Sequence, residues 1–95
     1  MRLRGRTDAN QKEVVKQLRQ IGCSVVVTSQ VGNGFPDVVV GRNKVTLLLE
    51  IKDGSKPPSG RTLTDEELTF VMGWRGQIMV VYSPQEAVNY VLANS

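Results

Sequence analysis

The sequence contains no histidine and a single cysteine, Cys23, among its 95 residues. A Ser-His-Asp triad and a Cys-His pair are therefore excluded as catalytic centres of this chain. An intrachain disulfide and a zinc site built from several cysteines are excluded as well. We expect Cys23 to be a small buried hydrophobic residue at a helix-to-strand junction. Any hydrolytic chemistry must then rest on carboxylates, a lysine and a bound metal ion.

Long apolar segments are also absent from the sequence. No apolar run approaches the length of a membrane span, and Met1–Arg4 is not followed by the apolar core of a signal peptide. We therefore predict a cytoplasmic protein with no membrane partner and a reduced cysteine.

The composition is that of one small globular domain, which we assign to residues 1–95. Twelve Lys and Arg residues against nine Asp and Glu residues give a net charge of +3, which is compatible with a polyanionic partner. The basic segment Arg2–Arg6 has two interpretations. It is either a solvated terminus, or an arm in which Arg4 and Arg6 contact nucleic-acid phosphates.

The most informative stretch runs from Phe35 to Lys52 and is predicted to be a hairpin of two apolar, β-branched strands. Three ionisable residues interrupt it: Asp37, Glu50 and Lys52. A two-residue turn would place Glu50 directly opposite Asp37. A four-residue loop would instead place these two residues diagonally.

Both registers bring Asp37 and Glu50 to the same face of the sheet, because side chains alternate with a period of two. Lys52 lies two residues beyond Glu50 and joins them there. Directly opposed residues have Cβ atoms ~4.5–5.5 Å apart, which allows two carboxylates to share one divalent cation. A structural alternative is an ion pair between Lys52 and Glu50, but such buried pairs stabilise a fold poorly compared with apolar residues.

A first helix is predicted from a cap at Thr7 or Asp8 to about Ile21, with Gly22 ending it. Its apolar stripe is formed by Val14, Val15, Leu18 and Ile21. On a helical wheel Gln11 falls within this stripe and Asp8 at its margin. Either Gln11 bonds a neighbouring backbone group and Asp8 only caps the helix, or one or both reach the carboxylate face.

The rest of the chain predicts a strand, a loop, a helix, a strand and a last helix. The elements are Ser24–Ser29, the basic loop Asp53–Arg61, a helix capped by Thr64 with Glu67 in the capping-box position, a strand over 77–82, and a last helix. The last helix is predicted to begin at Ser83 as its cap, with Glu86 completing a capping box. Its apolar face is formed by Ala87, Val88, Val91 and Leu92. The loop is either a plain connection or a segment whose Lys56 and Arg61 contact a DNA backbone.

Pro36-Asp37, followed by Glu50-Ile51-Lys52, resembles the Pro-Asp…(Asp/Glu)-x-Lys nuclease superfamily. More narrowly, Gly34-Phe35-Pro36-Asp37 with Leu49-Glu50-Ile51-Lys52 resembles the virus-type replication-repair nuclease (VRR-NUC) domain. The resemblance implies an α/β fold, restriction-endonuclease-like, with a mixed central sheet, an α-β-β-β-α-β core and here a C-terminal helix. In similar nucleases a Gln often occupies the position of Glu67, so this chain departs from the pattern there. Glu67 either improves the cap of this helix or adds a carboxylate near the site.

The resemblance implies an Mg²⁺-dependent endonuclease, with Mn²⁺ as a substitute, that hydrolyses DNA and is selective for branched or junction structures. It assigns metal binding to Asp37, Glu50, the backbone carbonyl of Ile51 and Asp8. It assigns catalytic roles to Asp37, Glu50, Lys52 and Gln11. It further implies a homodimer and a DNA repair setting in a bacterial or phage-infected cell. Two alternatives are a non-catalytic DNA-binding module and a nuclease subunit active only within a larger assembly.

Overall fold

The computed structural model describes residues 9–95, and the order of its elements confirms the predicted α/β class. The elements are α1 (Ala9–Gln20), β1 (Ser24–Val27), β2 (Val38–Arg42), β3 (Val45–Ile51), a 3₁₀ turn (Pro58–Gly60), α2 (Asp65–Gly73), β4 (Ile78–Val81) and α3 (Pro84–Asn94). The predicted α-β-β-β-α-β order with a C-terminal helix is therefore present. Both flanking strands are shorter than predicted, because β1 ends at Val27 and β4 spans four residues.

The four strands form one mixed sheet in the order β1-β2-β3-β4. The first three strands are antiparallel, and β4 returns parallel to β3 after the α2 crossover. One face of the sheet packs against α1 and α3 to form the core. The core strand residues are Val25, Val38, Val40, Leu47, Leu49, Ile51 and Val81. They alternate along each strand, so the residues between them, including Asp37 and Glu50, face the other way.

The register of the β2–β3 hairpin decides between the two predicted alternatives. Arg42 pairs with Val45 and Val38 pairs with Leu49, so the turn consists of two residues, Asn43 and Lys44. Both turn residues have positive φ, 51° and 65°, as in the type I′ turn that matches the twist of paired strands. One step outward from the Val38–Leu49 pair, Asp37 lies opposite Glu50.

The helix α1 follows the predicted stripe except at its end. Gln11, Val14, Val15 and Leu18 are buried, as predicted. Ile21 is 38% exposed, because the helix ends at Gln20 and the chain turns through Gly22 at a φ of +94°. The N–H of Cys23 then donates to the carbonyl of Leu18 at 3.0 Å and closes the helix end. Cys23 is buried between α1 and β1, which confirms its predicted structural role.

The caps of α2 and α3 agree with the sequence in all but one bond. Thr64 and Glu67 form the complete capping box of α2. Ser83 caps α3 by accepting the N–H of Glu86, but the Glu86 carboxylate accepts the N–H of Tyr82 rather than that of Ser83. Within residues 9–95 no helix is both long enough and apolar enough to cross a membrane.

The loop between β1 and β2 presses against the start of α2 at Gly34. Its φ is +79°, and a Cβ at this position would lie 2.3 Å from the carbonyl oxygen of Glu66. Glycine therefore allows both the left-handed backbone and the close contact with the helix that carries Glu67. Gly32 has a similar φ of +84° but has no atom within 4 Å of its Cβ position.

We expect Gly34→Ala to lower the free energy of unfolding much more than Gly32→Ala. Both variants place a side chain at positive φ, at a cost of ~1–2 kcal/mol. Only Gly34→Ala also forces the chain away from α2, which adds about 1–3 kcal/mol. Urea denaturation of the two variants measures the difference. Equal losses would show that the contact of Gly34 with α2 is not tight.

Candidate active site

The carboxylates of Asp37 and Glu50 meet where β2 and β3 pair beyond the hairpin ladder. The N–H of Asp37 donates to the carbonyl of Leu49 at 3.0 Å. The Oδ2 atom of Asp37 accepts the N–H of Ile51 at 2.7 Å, which fixes the carboxylate across the strand pair. Leu49 and Ile51, the neighbours of Glu50 in sequence, point into the core on the other face of the sheet. Glu50 itself is nevertheless only 2% exposed. A buried acid beside a second acid is thus held in place by the backbone pairing itself.

Lys52 and Glu67 complete the charged cluster. The Nζ atom of Lys52 lies 2.8 Å from Oε1 of Glu67 and 3.7 Å from Oε2 of Glu50. The same Oε1 atom of Glu67 accepts the N–H of Thr64 at 2.9 Å. Sequence reasoning left open whether Glu67 improves the cap of α2 or adds a carboxylate near the site. The structure shows that it does both.

The pKa values of Glu50, Asp37 and Lys52 are all raised, but for different reasons. Burial, together with the nearby carboxylates of Asp37 and Glu67, raises the pKa of Glu50 to about 9. Burial also raises the pKa of Asp37, and outweighs the stabilising bond from the N–H of Ile51. Burial alone would lower the pKa of Lys52, but the hydrogen bond and the charges of the surrounding acids raise it. Lys52 is therefore held as an ammonium ion.

A cavity of about 250 Å³ opens onto this cluster and collects most of the predicted site residues. Asp37, Glu50, Ile51, Lys52, Gln11 and Lys56 all line it, together with Glu67. The structure thus brings Gln11 from α1 and Lys56 from the β3–α2 loop to the same opening. Lys56 is exposed, whereas Gln11 is buried.

The remaining predicted residues lie elsewhere. Arg61 lines a larger neighbouring cleft of about 820 Å³, which shares Asp53 with the carboxylate cavity. Asp8, Arg4 and Arg6 lie outside the described residues 9–95. Their predicted roles as metal ligand and nucleic-acid contacts therefore stay predictions.

Several residues at the site were missed from the sequence, among them Asp53 and Gly60, which line the carboxylate cavity. The Nδ2 atom of Asn10 donates to the carbonyl of Lys52 at 2.7 Å and ties α1 to the end of β3. Ser29, in the loop after β1, lines the carboxylate cavity. The position of Asn10 at the margin of the apolar stripe was a usable signal, whereas nothing near Ser29 in the sequence marks it.

The donor set fits a hard divalent cation. Three acids, Asp37, Glu50 and Glu67, surround one cation, Lys52, which leaves negative charge uncompensated in a largely buried site. Carboxylate oxygens are the ligands that Mg²⁺ prefers. In the part of the chain that the structure describes, no three Asp, Glu, Cys or His side chains are arranged as metal ligands. A metal at this site would therefore need backbone carbonyl or water ligands beside Asp37 and Glu50.

Comparisons of the chain with protein-family models, with curated proteins and with solved structures yield no match.

The stability of the fold should depend on pH through Glu50. An acid whose pKa rises on folding, here from 4.5 to about 9, binds more protons in the folded chain than in the unfolded chain. Its contribution to stability is complete below pH 4.5 and is lost as the pH rises toward 9. The raised pKa of Asp37 acts in the same direction.

In metal-free buffer we therefore expect Glu50→Gln to raise the melting temperature at pH 8 but to change it little at pH 4. An increase of roughly 5 °C corresponds to about 1 kcal/mol in a domain of this size. Thermal unfolding across this pH range measures the effect. Glu13→Gln on the surface of α1 is the matched control, and equal pH profiles of the two variants would contradict the assignment.

Proposed function

We propose that this chain is a metal-dependent nuclease that hydrolyses DNA phosphodiester bonds. The observation that carries the proposal is the convergence of Asp37, Glu50 and Lys52 in one cavity. Two neighbouring acids beside a lysine are also the set of side chains that the resemblance to the nuclease superfamily implies. Mg²⁺ is the proposed cofactor and Mn²⁺ its substitute, because both accept hard oxygen ligands.

Asp37 and Glu50 are the side chains that would hold the cation, with the backbone carbonyl of Ile51 as a further ligand. When bound, the ion would polarise a phosphate oxygen and lower the pKa of a coordinated water. Asp37 is already oriented by the N–H of Ile51, so little reorganisation of this carboxylate is needed. Asp8 and Gln11 are the proposed additional ligand and water-binding group.

Lys52 serves as a fixed positive charge in this proposal. Its ammonium group is bound by Glu67 at 2.8 Å and its pKa is raised, so it is a poor general base. An ammonium group beside the scissile phosphate stabilises the negative charge that develops in the transition state. Glu67 is then a positioning residue, which holds Lys52 from the first turn of α2.

The proposed substrate contacts extend from the cavity along its basic rim. Lys56 lines the cavity and Arg61 the adjoining cleft, and both would bind backbone phosphates beside the scissile bond. Arg4 and Arg6 are proposed as further contacts. Selectivity for branched DNA, a homodimer, a cytoplasmic location and a role in repair in phage-infected cells are the finer parts of the proposal and come from the resemblance.

Purified protein should cleave DNA only with Mg²⁺ or Mn²⁺ present, and Asp37→Ala should lower the cleavage rate by roughly 100-fold or more through loss of a metal ligand. A panel of duplex, flap and four-way DNA measures both the rate and the structural preference. Glu13→Ala is the control, since Glu13 only accepts a bond from Gln17 on the helix surface. Binding without cleavage in either metal would instead identify a DNA-binding module, and activity restored only by added partners would identify a subunit.

Glu67→Ala should lower the turnover number by roughly 10- to 100-fold, because Lys52 loses the partner that positions it. Glu67→Gln should remain within a few-fold of the wild type, since an amide oxygen can accept the same two bonds. Single-turnover cleavage at saturating DNA measures the effect. Thr64→Ala removes the other half of the capping box, at a comparable cost of ~1 kcal/mol, and leaves Lys52 untouched. Equal losses in Thr64→Ala and Glu67→Ala would assign the effect to the cap instead.

A further inference from the structure

A further cavity lies between α1 and the edge strand β1, beside the carboxylate cavity. It measures about 310 Å³ and is lined by Lys12, Lys16, Arg19, Val15, Val27 and Gln11. Gln11 also lines the carboxylate cavity, so the two concavities adjoin along the first turns of α1. We call Lys12, Lys16 and Arg19 the α1 basic stripe.

The α1 basic stripe lies along a single helix face. Its residues are spaced by four and three positions, which places them one above the other, over a length of ~10 Å. All three are exposed. Double-stranded DNA carries one phosphate per ~3.4 Å of each strand, so the stripe matches the length of about three phosphates.

Acidic partners of the stripe are absent from the described residues 9–95. Among residues 9–95 the ion pairs are those of Lys52 with Glu50 and Glu67, and none involves Lys12, Lys16 or Arg19. Glu13, the acid nearest in sequence, bonds to Gln17 instead. Arg19 also donates to the carbonyl of Val25 at 2.9 Å, which holds its guanidinium over the edge strand β1.

We propose that the α1 basic stripe binds the phosphate backbone of the DNA strand that leaves the carboxylate cavity past Gln11. This inference rests on the proposed function and adds a contact region to those proposed for Lys56 and Arg61. The stripe would supply sequence-independent affinity, because contacts to phosphates carry no sequence information directly.

The test is the salt dependence of DNA binding in EDTA, where cleavage is absent. The double variant Lys12→Gln, Lys16→Gln should reduce the slope of log K against log salt by about two, since each phosphate contact contributes ~0.9. Between about 50 and 200 mM salt, the double variant should bind a labelled duplex roughly ten- to a hundredfold more weakly than the wild type does. Gln has nearly the helix propensity of Lys, so α1 should remain folded.

The matched control is Lys44→Gln, Arg75→Gln, which removes the same charge. Lys44 lies in the hairpin turn, ~20 Å along β3 from Glu50, and Arg75 follows α2. The control should retain the wild-type slope. Equal slopes in the two double variants would overturn the inference. It would also be overturned if the Lys12, Lys16 double variant kept the wild-type slope for DNA but lost binding to phosphatidylserine vesicles.

Failure of this inference is separable from failure of the proposed function. If the wild-type chain cleaves DNA with Mn²⁺ but the Lys12, Lys16 double variant keeps the wild-type salt slope, the nuclease proposal stands and the α1 contact is overturned. A wild-type chain that neither binds nor cleaves DNA would overturn both.

Discussion

The two-residue turn between β2 and β3 is the constraint on which the candidate site depends. Asp37 and Glu50 are thirteen positions apart in the chain, and only the hairpin register makes them neighbours. A turn with one more residue would shift the pairing by one and send Glu50 to the opposite face from Asp37. The positive φ angles of Asn43 and Lys44 hold the shorter turn. A local backbone conformation far from the acids therefore determines their proximity.

The cluster that this register creates opposes the stability of the fold. Glu50 is almost fully buried next to Asp37, and ionising both acids in a medium of low polarity is costly. The backbone N–H of Ile51 and the ammonium group of Lys52 offset part of this cost. Glu67 takes the closer contact with Lys52, so Lys52 offsets the cost of ionising Asp37 and Glu50 only in part, and the pKa of Glu50 stays raised. A site built only for stability would place apolar residues here, as the rest of the hairpin does.

The sequence predicted those parts of the structure that depend on local patterns. Alternation within the hairpin placed Asp37 and Glu50 on one face, and Thr64 and Glu67 marked the start of α2. The bond between Lys52 and Glu67 depends on where the α2 crossover returns across the sheet, which no local pattern specifies. Element ends were also missed. Ile21 and Leu92 were assigned to apolar stripes but are 38% and 47% exposed. Ile21 lies beyond the end of α1 at Gln20.

The distribution of charge connects the candidate site with the rest of the surface. Under the proposed function a polyanionic strand must approach a centre that is itself acidic. The cations lie around this centre: Lys56 at the mouth of the cavity, Arg61 in the adjoining cleft, and Lys12 with Lys16 along α1. Such exposed charges attract the backbone over roughly a Debye length of ~10 Å and hold it on both sides of the cavity. Under the proposed function, a divalent cation held by Asp37 and Glu50 would attract the scissile phosphate into this centre. In that proposal the rim would supply affinity without a metal, whereas the centre would admit the scissile phosphate only with one, and binding would be separate from cleavage within a chain of 95 residues.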